Sequence, residues 1–386
     1  MALFETPSKS PVERVRAASG RVASAPGTWV LIGENVDHFG GVTLAGTASL
    51  RAAASVSPRS DGIISVVANG PLGQEFSAQL PYDDQPADGL ALRWWGLVHT
   101  LVQRQVLSRD TSGVDITVES DVPVGAGLGA LYAADAAIAL ALAGEHDDVD
   151  TAPFRARLAE ICSHAVATYS SQPVLRARHS VALRGADGVS VVDYADGSLT
   201  QAPHPSRHGV RVFSVSQELG APFTQSREAI AERRAFIDAA CSNFGVSSLR
   251  QLPDAPARAV QWVEARRAAG DTNAPEPEAA RRWVTFCESE TLRSLAAAKA
   301  LRSRRANELF TLLNSPSETH DLTSPDALVA LARKRGAVAA RPAAIGTSDA
   351  VIAFVPVQEA DAFAATMARE FEVVEVAAGE PARLEG

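Results

Sequence analysis

Cysteine is scarce in this chain. Its 386 residues include only Cys162, Cys241 and Cys287, and no two of them form a CxxC pair. The sequence therefore indicates neither a disulfide framework nor a cysteine-based zinc cluster. The histidines contain no HExxH pattern, and we expect no bound metal.

Positive charge is also in short supply. The chain has 36 basic and 45 acidic residues, a net charge of −9. Lysine occurs only at Lys9, Lys299 and Lys334, and the other basic residues are arginines. A protein that binds nucleic acid through its overall charge normally carries a positive surplus. We therefore expect no nucleic-acid partner.

Long hydrophobic runs are missing as well. The most apolar stretch, residues 133–143, contains Asp135 and is shorter than the roughly 20 residues that a membrane-spanning helix needs. The first 20 residues do not contain the apolar core of a signal peptide. We therefore expect no membrane association and a cytoplasmic location.

The length and composition indicate a folded protein with two domains. A chain of 386 residues is too long for one ordinary domain. Clustered Pro, His and Gly near 203–210 predict a boundary, with an N-terminal domain at 1–205 and a C-terminal domain at 206–386. Strands and helices are interspersed without a strict βαβ rhythm, which favours an α+β fold.

Hydrophobic patterns and turn residues predict the elements. Strands are expected within the segments 30–46, 49–58, 62–70, 113–123, 188–198 and 209–216. Helices are expected at 91–107, after a glycine-rich turn at 125–129, and at about 153–170, 225–243, 256–269, 277–300, 303–314 and 357–370.

Three blocks of sequence, in order, resemble the motifs of one enzyme family. APGTWVLIGENVDHFGG (25–41) resembles the galactokinase signature APGRVNLIGEHTDYNGG, and DVPVGAGLGALYAADAAIALAL (121–142) resembles the second motif of the GHMP small-molecule kinases. GAVAARPAAIGTSDAVIAFVP (336–356) stands where their third motif belongs. The resemblance covers nearly the whole chain and implies a two-domain GHMP kinase fold with a cleft between the domains. Members of the galactokinase family use ATP and Mg²⁺ to phosphorylate the anomeric hydroxyl of galactose, a step of carbohydrate metabolism.

The resemblance places the phosphate-binding loop of the family after residue 124. The glycines allow backbone amides to turn inward, and the helix that follows offers the positive end of its dipole. The family's serines, which contact phosphate and metal, are replaced by Gly129, Ala130 and Leu131. We interpret Gly125, Gly127, Gly129 and Ala130 as a degenerate nucleotide-binding site. A plain strand-to-helix turn is the alternative interpretation.

The catalytic positions that the resemblance implies have changed too. The family's catalytic arginine is Thr28, and its catalytic aspartate falls on Ala177 or Arg178, depending on a one-residue shift of register. The metal-binding glutamate falls on Val166, and valine cannot supply the oxygen that Mg²⁺ requires. Asp349 adds negative charge where phosphates belong. We expect no catalytic residue at these positions and no cofactor.

The sugar-binding positions are better preserved. By resemblance they are Glu34, Asn35 and Asp37, with Asn35 in place of the family's histidine. Carboxylate and amide oxygens accept hydrogen bonds from sugar hydroxyls. The alternatives are that Glu34 is the buried partner of an arginine and that Asp37 is a turn residue. The family's pocket tyrosine is Ile230.

These features predict a galactokinase-like pseudokinase with a sugar-binding, regulatory or scaffold role. Its expected partner is galactose or a related sugar, or else another protein. The alternative is an active galactokinase or related sugar 1-kinase that uses Mg-ATP through a rearranged site. Such a site would draw on Asp37, His38, His179 or Asp349.

Overall fold

The computed structural model describes residue 4 and residues 6–16, 18, 20–69, 75–219, 226–316 and 322–386. The strands of this part are β1 Arg21–Ile32, β2 Val42–Pro58, β3 Ile63–Asn69, β4 Phe76–Pro81, β5 Val114–Ser120, β6 Val189–Asp193, β7 Ser198–Ala202, β8 Val210–Ser216, β9 Ala339–Pro342, β10 Val351–Pro356, β11 Glu372–Glu375 and β12 Arg383–Glu385.

The helices in the same ranges are α1 Pro11–Val15, α2 Gly89–Gln103, α3 Ala130–Leu142, α4 Ala152–Tyr169, α5 Arg176–Arg184, α6 Arg227–Phe244, α7 Ala255–Ala268, α8 Pro277–Arg302, α9 Ala306–Asn314, α10 Asp326–Lys334 and α11 Ala360–Met367. Two short 3₁₀ helices lie at Pro205–His208 and Leu249–Gln251. No helix of the described residues combines the length and the hydropathy needed to cross a membrane.

The larger sheet is built around the long strand β2. β2 pairs antiparallel with β1, β5 and β6, and β3 joins β5 in parallel. The alanine-rich helix α3 packs on β1 and β2, and its small side chains permit a close approach that leaves nearly all of the helix buried. The segments expected as strands at 30–46 and 49–58 form the end of β1, a turn and β2.

The smaller sheet has the strand order β11-β8-β10-β9 and is antiparallel throughout. Its core includes Phe213, Phe363 and Met367, contributed by the sheet and by α11. Pro205–His208, where the domain boundary is predicted, connects β7 of the larger sheet with β8 of the smaller one. β12 returns to pair with β1. The division at residues 205 and 206 stays a prediction.

Candidate functional site

The turn after β1 brings Glu34, Asn35 and Asp37 to one small cavity. Gly33 adopts φ +94° at the end of the strand, and Asn35 adopts φ +59°, a left-handed conformation that asparagine tolerates better than most residues. The three side chains line a cavity of about 10 Å³, here called the acceptor cavity, which has room for roughly one water molecule. Its wall also includes Ala177 of α5.

The three residues Glu34, Asn35 and Asp37, which line the acceptor cavity, carry four buried acceptor oxygens with no hydrogen-bond donor among the described residues. They are both carboxylate oxygens of Glu34, Oδ1 of Asn35 and Oδ2 of Asp37. A buried acceptor without a donor typically costs about 1–3 kcal/mol, and native proteins keep few of them. This group of oxygens suits a ligand that donates several hydroxyl groups.

Glu34 also has a cation close to it. The guanidinium of Arg341, on β9, lies 3.5 Å from Glu34 Oε2 and 3.0 Å from Oε1 of Glu290. Burial raises the pKa of Glu34, while the charge of Arg341 acts in the opposite direction. The alternative interpretation, a buried partner of an arginine, is therefore confirmed for Glu34, and the same side chain still lines the acceptor cavity.

Asp37 combines a turn with a weak ion pair. Its carbonyl accepts a hydrogen bond from the amide of Gly40 at 3.1 Å, as expected of a turn residue. Its carboxylate lies 3.5 Å from the guanidinium of Arg234. Oδ1 takes this contact and Oδ2 is left without a donor among the described residues.

The glycine-rich turn lines a second cavity, of about 120 Å³, here called the glycine-loop cavity. Gly125, Gly127 and Gly129 have φ values of +93°, +66° and +65°, which glycine adopts without steric cost. Helix α3 begins directly afterwards, at Ala130, and no side chain caps its first turn. The opposite half of the chain contributes residues 347–349 to the same cavity.

The carbonyl groups of the glycine-rich turn bond to the protein itself. Ser214 donates to the carbonyl of residue 126 at 2.6 Å, and the amide of Thr28 donates to that of residue 128 at 2.8 Å. The carbonyl of Gly127 accepts a bond from Arg178 at 2.9 Å. Hydrogen bonds to its carbonyl oxygens therefore hold the turn in place. These bonds do not involve the backbone amides of the first turn of α3.

Arg178 lies where the glycine-rich turn meets Thr28. Its guanidinium donates to the carbonyl of Thr28 as well as to Gly127, and it lies 5.7 Å from the centre of the Tyr132 ring. The side chain is 2% exposed, and burial lowers its pKa. Within the described ranges no carboxylate forms an ion pair with it. Its neighbour Ala177 lines the acceptor cavity instead. Neither of the two candidate positions for the family's catalytic aspartate therefore carries a carboxylate.

The residues at the remaining family positions do not fit Mg-ATP. Val166 is buried in α4 and does not line the glycine-loop cavity. Ala130 and Leu131 line the cavity without a hydroxyl group, and Asp349 adds a carboxyl whose pKa burial raises. The described residues contain no group of three or more His, Cys, Asp or Glu that could hold a metal ion.

A buried polar cluster lies beneath the glycine-loop cavity and was not predicted. Its centre is Asp135 of α3, to which Arg93 Nη2 donates at 2.5 Å and Trp94 Nε1 at 3.0 Å. His179 Nε2 is 3.1 Å from Oδ2 of Asp135, and Ser163 Oγ is 3.0 Å from His179 Nδ1. The one sequence signal was an acidic residue inside an alanine-rich helix, because such residues are seldom buried unless paired.

The charges of this polar cluster are balanced. Burial alone would raise the pKa of Asp135, but the charge of Arg93 and the hydrogen bonds from His179 and Arg93 lower it to about 2. Burial lowers the pKa of His179, which favours the neutral ring. Its Nε2 then donates to Asp135 while Nδ1 accepts from the Ser163 hydroxyl. His179 therefore links α5 to α3 as a structural residue.

The four side chains named for a rearranged kinase site are not brought into one place. His179 belongs to the polar cluster, and His38 lies 2.8 Å from Asp238. Asp37 lines the acceptor cavity, whereas Asp349 lines the glycine-loop cavity. Among the residues that the structure describes, none that could act as a general base lines both cavities.

Galactokinases resemble this chain in sequence. The galactokinase galactose-binding signature matches residues 13–58. The galactokinase of Streptomyces coelicolor is 27% identical over 293 residues, which cover 72% of this chain and 71% of that protein. The galactokinase of Mycobacterium tuberculosis is 27% identical over 352 residues, 89% of this chain and 92% of that protein.

Solved structures agree on the fold. A galactokinase of Lactococcus lactis complexed with galactose superposes with a TM-score of 0.76 at 16% identity, covering 96% of this chain and 98% of the other. The mevalonate kinase of Methanococcus jannaschii gives a TM-score of 0.55 at 12% identity, with 96% and 99% covered. The fold is thus the two-domain α+β fold of the GHMP kinases. The galactose-binding signature lies in the first strands, and the chain is similar to galactokinases over most of its length.

Proposed function

We propose that this protein binds galactose or a related hexose in the acceptor cavity and does not phosphorylate it. The observation that carries the proposal is that Glu34, Asn35 and Asp37 line one cavity and together carry four buried acceptor oxygens without a donor among the described residues. A hexose offers several hydroxyl donors to such a group. The complex of the Lactococcus lactis galactokinase with galactose supports the choice of sugar.

The loss of phosphoryl transfer follows from the side chains at the family's metal-binding and catalytic positions. Transfer from ATP needs a cation to neutralise the phosphates and a group that orients the attacking hydroxyl. Val166 provides no oxygen ligand, and Ala177 and Arg178 provide no carboxylate. Removal of one transition-state contact typically lowers the rate by about 10²–10³, although losses within one catalytic unit do not multiply.

A protein of this kind acts as a sensor or a scaffold. Because the acceptor cavity holds only about 10 Å³, a hexose requires the walls to move apart. Arg341, which contacts the wall residue Glu34 and also pairs with Glu290, would have to rearrange, since it joins the two halves of the chain. Ligand binding would thus be coupled to a change in the spacing of the halves, which a partner protein could recognise.

Calorimetric titration of galactose into the purified protein tests the proposal. We expect saturable binding to the wild type, binding at least tenfold weaker to Asp37→Asn, and no sugar-dependent ADP release in the presence of Mg-ATP. Asp361→Asn, an exposed carboxylate on α11, is the matched control and should bind like the wild type. If galactose at millimolar concentration gives no heat of binding with the folded protein, the proposed sugar site is wrong. If ADP release requires galactose, the protein is an active kinase.

A further inference from the structure

We propose that the preferred ligand of this cleft is a hexose 1-phosphate, whose phosphate group is bound by Arg178. The inference rests on the proposed sugar site and adds the charged group of its ligand. Arg178 would bind the phosphate group at a position where the family's motif has its catalytic aspartate.

The position of Arg178 relative to the two cavities carries the inference. Ala177 lines the acceptor cavity and Arg178, the next residue of α5, lines the glycine-loop cavity. Leu175 lines both. The first turn of α5 is therefore the wall between them. Arg178 therefore lies on the side of this wall that a substituent of a sugar in the acceptor cavity would reach if it extended towards the glycine-rich turn.

The surroundings of Arg178 suit an anion. Its side chain is 2% exposed, and its hydrogen bonds within the described residues go to neutral oxygens of Thr28 and Gly127. Burying a charge is costly unless an opposite charge accompanies it. A guanidinium binds phosphate through two parallel hydrogen bonds and keeps its charge at all physiological pH values. The uncapped first turn of α3 adds backbone amides and a positive dipole end.

The charge of the glycine-loop cavity suits one phosphate rather than three. Arg93, the other arginine at its wall, is paired with Asp135. Asp349 lines the same cavity and opposes a long polyanion. Arg178 is a cation at this wall without a carboxylate partner among the described residues, and it matches a single phosphate group. The position of Val166 offers no oxygen ligand, so the bound phosphate would need no divalent metal.

Calorimetry in the presence of EDTA tests the inference, with galactose 1-phosphate, galactose and inorganic phosphate as probes. We expect the wild type to bind galactose 1-phosphate at least tenfold more tightly than galactose. Arg178→Met should abolish this preference, so that galactose and galactose 1-phosphate bind with equal affinity. Arg305→Met, which removes an exposed arginine of the chain, should retain the preference.

The outcomes separate this inference from the proposed function. Equal affinities for galactose and galactose 1-phosphate, or a preference that persists in Arg178→Met, overturn the role of Arg178 and leave the sugar site in place. Binding of neither sugar by the folded wild type overturns both. If Arg178→Met does not fold, as judged by circular dichroism, Arg178→Lys serves instead: it keeps the charge but not the fork, and we expect at least a threefold loss of the preference.

Discussion

At the level of single residues, Gly129 shows how tightly Arg178 is held. A Cβ atom on Gly129 would lie 2.8 Å from Nη1 of Arg178 and 2.8 Å from Oγ1 of Thr28. Such distances are well below van der Waals contact, so only glycine permits the guanidinium to reach the carbonyl of Thr28. Gly129, which lies in the segment that resembles a phosphate-binding loop, thus also leaves the space that Arg178 occupies in this chain.

We predict that Gly129→Ala destabilises the protein by more than backbone strain alone. Gly197 is a matched control, because its φ is +70° and a Cβ atom there would have no described neighbour within 4 Å. Gly197→Ala should lower the free energy of unfolding by about 1 kcal/mol, the usual cost of a left-handed non-glycine residue. Gly129→Ala should cost about 2 kcal/mol more, by urea denaturation, because the added methyl group also meets Arg178 and Thr28. Equal losses would show that Arg178 moves aside freely.

Single residues also show the limits of prediction from sequence. The identity of Thr28, Val166 and Arg178 at the family positions could be read directly. From the sequence, the buried partner of Glu34 could be predicted only to be an arginine. Arg341 itself could not be identified, because β9 brings it from a distant part of the sequence. The size of the acceptor cavity depends on these contacts and could not be predicted.

At the level of elements, the polar cluster around Asp135 joins α2, α3 and α5. Three groups donate to one buried carboxylate, from Arg93, Trp94 and His179. Helices α3 and α5 contribute to the walls of the cavities, so the cluster sets the spacing of the proposed site. A buried charge pair of this kind contributes little net stability when complete but is costly to break.

We predict that Asp135→Asn lowers the free energy of unfolding by roughly 3–5 kcal/mol, since Arg93 would remain buried without its counter-charge. Glu380→Gln breaks the exposed pair with Arg383 and should change stability by less than about 1 kcal/mol. Urea denaturation of both variants provides the comparison. A loss for Asp135→Asn as small as that of Glu380→Gln would contradict the assignment of Asp135 as the centre of the cluster.

Helix α5 was not predicted, although the helix before it was. Its segment, RARHSVALR (176–184), is short and carries polar residues at buried positions. Arg178 and His179 face the interior because Thr28 and Asp135 accept their hydrogen bonds. Hydrophobic periodicity cannot reveal a helix whose buried face is polar. By contrast, α8 and α4 follow apolar patterns and lie close to the predicted limits.

At the level of the whole molecule, histidines whose pKa is lowered in the folded protein make stability depend on pH. Burial lowers the folded-state pKa of four of them: His99, His179, His204 and His208. The pKa of His204 falls from 6.5 to about 4. Below pH 6.5 the unfolded chain therefore binds protons that the folded protein does not, and stability falls as the pH falls. Glu34 has the opposite sign, because its raised pKa gives stability that is lost as the pH rises.

We predict that the free energy of unfolding decreases between pH 8 and pH 5, with His204 contributing about 2 kcal/mol of the change. His204→Asn should flatten the curve by that amount. Denaturation at several pH values measures both proteins, and His164→Asn, which removes an exposed histidine of α4, is the control. Parallel curves for His204→Asn and the wild type would mean that the pKa of His204 is not lowered in the folded protein.

The overall arrangement was the part most accessible from sequence. Three motif blocks in the family's order predicted a two-domain fold with a cleft, and the second and third blocks do meet at the glycine-loop cavity. The return of β12 to the first sheet could not be predicted, because three residues of strand carry no distinctive pattern. The roles of the cleft residues depend on contacts between halves and stay predictions.

A saturation-transfer NMR experiment on galactose in the presence of Mg-ATP tests most directly whether sugar binding persists without phosphoryl transfer. One sample reports both events, since bound galactose receives saturation and any product shows a new anomeric signal. We predict saturation transfer to galactose protons with no galactose 1-phosphate formed at stoichiometric protein concentration. Formation of galactose 1-phosphate, or the absence of any saturation transfer from the folded protein, would contradict the proposed function.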